Sequence, residues 1–143
     1  SVLAEYQGNL YHISVELKNN ELVYTSILVE ENIKYASFVG SNQTSLVISQ
    51  NNAIHIYNST WSLMYSANID GDYQRVIKDY HDSPYVIETN AYYYVYKGST
   101  LLESITKQSE QIYVAATIVY EPSETFVYYY LENNQIKLIE TDL

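Results

Sequence analysis

The residues best suited to binding a metal ion lie in one acidic stretch in the middle of the chain. Asn68, Asp70 and Asp72 carry side-chain oxygens at alternate positions, and Asp79 lies eleven residues after Asn68. Calcium loops use oxygen ligands at similar intervals. However, Tyr73 occupies the position where such a loop needs glycine for its sharp turn. We therefore predict a solvated turn without a metal, and keep these four residues as the candidates for a metal site.

A second place for acid–base chemistry is the segment 79–82, in which His81 lies between carboxylates. A histidine beside a carboxylate can act as a general base or as a metal ligand. The other histidines, His12 and His55, lie in other predicted strands, so the sequence brings no second imidazole near. We interpret His81 as an exposed residue of a turn.

Carboxylate pairs are the remaining catalytic candidates. A glycoside hydrolase needs two carboxyl groups at a defined separation, and Glu88, Glu103, Glu121 and Glu124 are available. We interpret them as outward-facing strand and turn residues. The chain has no cysteine, no G-x-S-x-G motif and only 4 glycines, which argues against thiol, nucleophile-elbow and phosphate-loop chemistry. We therefore expect no enzyme and no cofactor, with a secreted carboxylate-dependent glycoside hydrolase as the enzymatic alternative.

Tyrosine is unusually frequent, with 18 residues in the chain. Because side chains alternate along a strand, Tyr92, Tyr94 and Tyr96 should share one face. Tyr128 and Tyr130 should likewise share a face of a later strand. Exposed tyrosines can bind a sugar ring or a protein, so these five residues form the predicted interaction face. The competing interpretation assigns one face to the core and the other to ordinary strand surface, where tyrosine is common.

Charge and composition limit the partners. The chain has 17 acidic residues against 7 Lys and Arg, a net charge of −10, which repels phosphate backbones and disfavours nucleic acid. No apolar run is long enough for a membrane-spanning helix. A protein, a second copy of the chain or a glycan remains as the expected partner.

Neutral polar side chains replace many of the usual charges. Charged residues are 17% of the chain, whereas about 25% is average. This composition suits an extracellular protein or one at a cell or particle surface. Sequons begin at Asn42 and Asn58, both in predicted turns, and would allow N-glycosylation of an exported protein.

Strands are predicted almost throughout. Apolar runs of four to eight residues, rich in Val, Ile, Thr and Tyr, alternate with turns rich in Asn, Gly, Ser and Pro. The stretch from Ser83 to Ile105 is the clearest and predicts three antiparallel strands. Paired asparagines, as at Asn19-Asn20 and Asn133-Asn134, predict tight hairpins because Asn tolerates positive φ. Only residues 30–34 would also suit a helical turn.

The strands recur as a repeated unit. LVISQNNAIHIYNSTWSLMYS (46–66) aligns with YVIETNAYYYVYKGSTLLES (85–104), and segments from residues 10 and 126 match their first two strands. Another strand precedes each later aligned segment, so the strand that opens a segment is the second of its unit. These second strands begin at residues 11, 46, 85 and 126, which gives steps of 35, 39 and 41 residues. Four short strands in about forty residues is the period of a propeller blade. We predict an all-β antiparallel meander in about four quasi-repeats, propeller-like.

At these residues the chain resembles the β-propeller repeats of WD, YVTN and quinoprotein-like proteins. Blades of this family have a turn rich in Asn or Asp and a following strand that ends in Tyr, where this chain has Asn51-Asn52 and Ile56-Tyr57. No Trp-Asp dipeptide and no calcium or quinone motif is present. The resemblance implies one all-β domain over residues 1–143, whole or part of a larger propeller. Propellers often close with the N-terminal strand, so residues 1–7 are expected to complete the last repeat.

The alternative architecture is a β-sandwich, which also has many short strands. In a sandwich, an N-terminal strand without a local partner could insert into a neighbouring subunit and build a filament. The sequence therefore predicts a non-catalytic binding or scaffold module that acts through protein or glycan contacts at a surface. The structural alternative is a subunit of an extracellular filament, an S-layer or a virus particle.

Overall fold

The computed structural model describes residues 1–40, 42–79 and 83–143, and these residues form fourteen β-strands and no helix. The strands make four antiparallel sheets, each built from strands that are consecutive in the sequence. The predicted all-β meander in four quasi-repeats is confirmed. In the part of the chain that is described, no helix could cross a membrane.

Two compact units divide the four sheets. The first unit comprises Ser1–Phe38 and Asn42–Asn68 and contains the first two sheets, and the second comprises mainly Ile69–Leu143 and contains the other two. The assignment of residues 1–143 to a single domain stays a prediction.

The first sheet contains β1 (Val2–Tyr6), β2 (Asn9–Lys18) and β3 (Glu21–Glu30), in that order. β1 pairs with β2 along its whole length, so two predictions for the N-terminal strand are wrong. It does not complete the last repeat, and it does not lack a local partner. The reason is the turn Gln7-Gly8, whose φ angles of 53° and 78° fold β1 back onto β2.

The second sheet contains β4 (Ile33–Phe38), β5 (Ser45–Ser49), β6 (Ala53–Tyr57) and β7 (Leu63–Asn68). β4 begins where the sequence also suited a helical turn. Its first residue is buried with Leu10 and Val47, and its N–H donates to the Gly8 carbonyl at 2.8 Å. The packing of Ile33 in the core therefore favours a strand over the helical turn that residues 30–34 would also suit.

The third sheet contains β8 (Tyr73–Ile77), β9 (Tyr85–Thr89), β10 (Tyr92–Lys97) and β11 (Thr100–Thr106). Its spatial order is β11-β10-β9-β8, so each strand pairs with its neighbours in the sequence. The three strands predicted between Ser83 and Ile105 are confirmed as β9, β10 and β11.

The fourth sheet contains β12 (Ile112–Val119), β13 (Thr125–Glu132) and β14 (Gln135–Asp142). Within the second unit it packs on the third sheet. The shared core holds side chains from both sheets: Val86, Tyr93, Val95, Ile118 and Phe126.

Paired asparagines do form hairpin turns. Asn19 and Asn20 have φ angles of 51° and 63°, and Asn133 and Asn134 have 52° and 61°. Type I′ turns need positive φ at both central residues, and asparagine reaches this region at lower cost than most residues. These turns fix the pairing of β2 with β3 and of β13 with β14.

Candidate functional site

The tyrosines of β10 divide between two environments. Tyr92 and Tyr94 are half-buried, and their rings stack at 5.2 Å and 23°. The Tyr94 hydroxyl accepts a hydrogen bond from the Asp70 N–H at 3.0 Å. Tyr96 is only 1% exposed and stacks on Tyr85 at 5.9 Å, so it belongs to the core.

Tyr128 and Tyr130 lie in a separate aromatic cluster. Tyr128 is 5.2 Å from Tyr93, and Tyr130 is 5.7 Å from Tyr113, measured between ring centroids. Tyr93 points to the face of β10 opposite that of Tyr92 and Tyr94, because neighbouring side chains alternate. The five tyrosines predicted as an interaction face therefore do not share one surface.

A buried charged cluster lies beside these rings. Glu88 of β9 is 5% exposed; its Oε2 lies 2.7 Å from Lys107 Nζ, and its Oε1 accepts a hydrogen bond from Arg75 Nε. The same ammonium group lies 4.6 Å from the ring centroid of Tyr93 and 5.2 Å from that of Tyr113. The interpretation of Glu88 as outward-facing is wrong, because its side chain is buried. The charges of Lys107 and Arg75 compensate the cost of burying this carboxylate.

The same contacts set the protonation of this cluster. Burial alone would raise the pKa of Glu88, but the hydrogen bonds and charges of Lys107 and Arg75 outweigh burial and lower it. Burial and the nearby Glu88 carboxylate raise the pKa of Tyr93. The lowered pKa keeps Glu88 a carboxylate at neutral pH, and the raised pKa keeps Tyr93 a neutral phenol.

The loop that holds the metal-site candidates Asp70 and Asp72 is bonded to a neighbouring turn. The Asp72 N–H donates to Asn90 Oδ1 at 2.8 Å, and the Thr89 hydroxyl donates to the Asp70 carbonyl at 2.8 Å. These bonds fasten the loop before β8 to the β9–β10 turn. Among the residues that the structure describes, no group of three or more His, Asp or Glu side chains could hold a metal ion.

The other sequence candidates lie on different elements of the fold. Asn68 ends β7, Asp79 follows β8, and Glu103 is an exposed residue of β11. Glu121 is exposed, and Glu124 lies 3.5 Å from Lys97. Tyr80, His81 and Asp82 lie outside the described residues, as does Ser41.

A polar cluster that the sequence did not predict joins the two sheets of the first unit. Glu30 Oε1, at the end of β3, lies 2.7 Å from His55 Nδ1 and 2.7 Å from the Tyr57 hydroxyl, both in β6. Burial, followed by the hydrogen bond and charge of Glu30, raises the pKa of Tyr57. The rings of His12 and Trp61 lie 5.0 Å apart beside this group. This network fixes how β3 meets β6.

An open groove of about 430 Å³ also lies between the first and second sheets, and it is lined by Leu3, Glu5, Leu10, Ile33, Lys34, Tyr35 and Ala36. Its two charged groups are engaged in structural bonds. Glu5 accepts a hydrogen bond from the Gly8 N–H, and Lys34 donates to Asn52. The groove wall is more polar than apolar, and both of its charged side chains are bonded to neighbouring residues.

The two sequons differ in their surroundings. Asn42 is an exposed turn residue. Asn58 Oδ1 accepts hydrogen bonds from Thr60 N, Thr60 Oγ1 and Ser62 N, at 2.8 to 3.0 Å. Glycosylation of either asparagine stays a prediction.

One exposed apolar surface is a face of the β2–β3 hairpin. Val15 lies opposite Tyr24, and Leu17 lies opposite Leu22. Residues directly opposite each other in an antiparallel pair share a face. The side chains on this face are 46–69% exposed: Val15, Leu17, Leu22, Tyr24 and Leu28. We call these five residues the hairpin face.

This fold is similar to those of two solved structures. "KlHsv2 with loop 6CD replaced by a Gly-Ser linker" is 12% identical over 92% of this chain, with a TM-score of 0.51. BBS1N, in complex with ARL6DN, is 16% identical over 95% of this chain, with a TM-score of 0.52. Both are β-propeller proteins. The fold of this chain is propeller-like.

At these identities the likeness concerns the fold alone, and the chain spans 44% of the length of each of the two structures. No protein-family model matches the sequence, and no curated protein does. The comparison favours the propeller-like alternative over the β-sandwich. It agrees with the topology, in which each sheet contains only strands that are consecutive in the chain.

Sequence reasoning missed the hairpin face and the Glu30 cluster for different reasons. Tyr11, Ile13 and Val15 alternate with His12, Ser14 and Glu16, which predicts one apolar face of β2. Alternation does not tell whether another sheet covers that face. Glu30 is separated from its two partners by 25 and 27 residues, and no local pattern predicts those contacts.

Proposed function

We propose that this chain is a non-catalytic protein-binding module whose contact surface is the hairpin face. The observation that carries the proposal is the exposure of the hairpin face, in which the pairs Val15–Tyr24 and Leu17–Leu22 are consecutive on one face. Scattered apolar residues are normal on a surface, whereas a contiguous apolar patch is typical of an interaction site. A protein partner would remove this area from water.

The chemistry of the hairpin face favours a protein over a small molecule. The face is an exposed strand surface in which Val15 opposes Tyr24 and Leu17 opposes Leu22. Small-molecule sites are concave and enclose their ligand, whereas protein contacts use flatter apolar areas with aromatic residues near the centre. Tyr24, which is 68% exposed, is suited to that central position.

The charged clusters support a non-catalytic role. Glu88 is held by Lys107 and Arg75, and Glu30 is bonded to His55 and Tyr57. Each carboxylate therefore has structural partners within its own unit. The fold comparison agrees, since one propeller of similar fold was solved in complex with another protein, ARL6DN.

Site-specific photo-crosslinking tests this proposal. A benzoylphenylalanine at position 24 is expected to form a covalent adduct with a protein when the purified chain is irradiated alone or in an extract of its source cells. The matched control carries the same group at position 109, an exposed serine of the turn before β12. Adducts of equal yield from both positions, or from neither, would count against the hairpin face as a binding surface.

We further propose that the protein acts outside the cell or at a surface, on the basis of its low content of charged residues and its two sequons. Expression through a secretory pathway should give a species whose mass falls on treatment with an N-glycosidase. Asn42→Gln should remove part or all of that mass difference. A chain of unchanged mass after the treatment would oppose this location.

A further inference from the structure

We infer that β3 pairs edge to edge with the β3 strand of a second copy of this chain. The inference rests on the proposed function, because the same hairpin supplies both surfaces. The spatial order β1-β2-β3 leaves one side of β3 without a strand partner among the described residues. The backbone N–H and C=O groups along such an edge are a template for another strand.

β3 lacks the features that normally protect an edge strand. From Leu22 to Val29 it contains no charged residue, no proline and no glycine. Its pairing with β2 is regular from Lys18↔Glu21 to Tyr11↔Leu28, so no bulge interrupts that stretch. Long, flat and apolar edges of this kind tend to associate.

Two other edge strands show the contrast. β14 carries Lys137, Glu140 and Asp142 along its length. β12 is free of charge, but a register shift between Tyr113 and Ala115 interrupts its pairing with β13. Charged side chains and bulges both discourage strand addition. Between Leu22 and Leu28, β3 has neither.

Both faces of β3 could also bury apolar area in such a pair. Leu22 and Tyr24 are 61% and 68% exposed on one face, and Val23 and Ile27 are 37% and 50% exposed on the other. A foreign strand would have to match both faces. A second β3 supplies the matching pattern itself.

An antiparallel pair places opposite residues on the same face, and a register centred on Thr25 meets this requirement. If Thr25 lies on the two-fold axis, Leu22 faces Leu28 of the second copy, and Val23 faces Ile27 of the second copy. The paired span is then Leu22–Leu28, in which every residue is exposed. Glu21 would face Val29 of the second copy, so like charges do not oppose each other directly.

This contact produces a dimer and no larger oligomer. A strand that pairs antiparallel with its own copy uses the same surface twice, which is an isologous interface with two-fold symmetry. The result is a six-stranded sheet, β1-β2-β3 continued by β3-β2-β1 of the second copy. Each chain carries a net charge of −10, so the two copies repel at long range. Added salt screens that repulsion and should strengthen the pair.

Sedimentation equilibrium of the purified chain, with Thr25 variants, tests the inference. The wild type is expected to be a dimer that tightens between low and moderate salt. Thr25→Lys and Thr25→Glu each place like charges opposite one another at the axis, and each should weaken self-association by about tenfold or more. Thr25 is exposed, so circular dichroism should show both variants folded. An equimolar mixture of the two variants should restore the dimer, because Lys then faces Glu.

Each outcome bears on one proposal or on both. A monomeric wild type that crosslinks from position 24 to a different protein overturns the β3 pair and leaves the binding function standing. A dimer that persists in both Thr25 variants overturns this interface, and so does an open series of larger oligomers. A monomer that gives no adduct from position 24 overturns both proposals.

Discussion

The ammonium group of Lys107 lies 2.7 Å from Glu88 Oε2, and both side chains are only 6% exposed. Lys107 follows β11, and Glu88 lies in β9, so the ion pair spans the third sheet. The Tyr113 ring of the fourth sheet lies 5.2 Å from the same ammonium group. The pair therefore links the two sheets of the second unit through a charge that is held over an aromatic ring.

Removing the cation should destabilise the second unit. Lys107→Met leaves Glu88 buried with only the half-exposed Arg75 as a charged partner, and should lower the free energy of unfolding by about 3 kcal/mol. The control Lys97→Met breaks the more exposed pair with Glu124 and should cost less than about 1 kcal/mol. Urea denaturation measures both values. Equal losses of stability in the two variants would mean that the buried Lys107–Glu88 pair stabilises the fold no more than the exposed Lys97–Glu124 pair does.

Acid should weaken the same cluster. The pKa of Glu88 is lowered in the folded chain from an ordinary value of 4.5, so the unfolded chain takes up the proton first as pH falls. The stability that Glu88 provides is therefore complete above pH 4.5 and is lost as pH falls through the lowered pKa. Urea midpoints of the wild type and Glu88→Gln should differ at pH 7 and converge at the acid end. A constant difference would contradict the lowered pKa.

The Glu30 network should contribute to the first unit. Tyr57→Phe removes the hydroxyl that donates to Glu30 Oε1 at 2.7 Å and should lower the free energy of unfolding by about 2 kcal/mol, as is typical of hydrogen bonds to charged groups. Tyr6→Phe is the matched control, since Tyr6 is 63% exposed, and it should change stability little. Thermal unfolding of the two variants provides the comparison. The network has no stabilising role if Tyr57→Phe melts like the control.

The loop before β8 depends on a glycine. Gly71 has a φ of 87°, and a Cβ there would meet Asn90 Oδ1 and would lie 2.9 Å from Thr89 Oγ1. Gly71→Ala should therefore cost about 3 kcal/mol. Gly98 also has a positive φ but open space around it, so Gly98→Ala should cost about 1 kcal/mol from backbone strain alone. Chemical denaturation measures the free energy of unfolding of both variants. Similar losses of stability would show that Asn90 moves away from the added Cβ at little cost.

Much of the fold was predictable because its signals are local. Strand alternation, asparagine turns and the spacing of 35, 39 and 41 residues all lie within short windows of the chain. Such patterns fix strand position and hairpin pairing, and the three strands predicted between Ser83 and Ile105 are observed as β9, β10 and β11. The N-terminal strand was misassigned because the closure expected of a propeller competed with a turn at Gln7-Gly8 that pairs the strand locally.

The surfaces could not be predicted in the same way. Alternation separates the two faces of a strand, but only the packing of one sheet on another decides which face is buried. Tyr96 and Glu88 are buried for that reason, and Tyr128 and Tyr130 join the Tyr93 cluster. The chain by itself therefore determined a repeated all-β meander. The tertiary structure decided which carboxylates are held by buried partners and which apolar face is left exposed, because both depend on contacts between residues distant in the sequence.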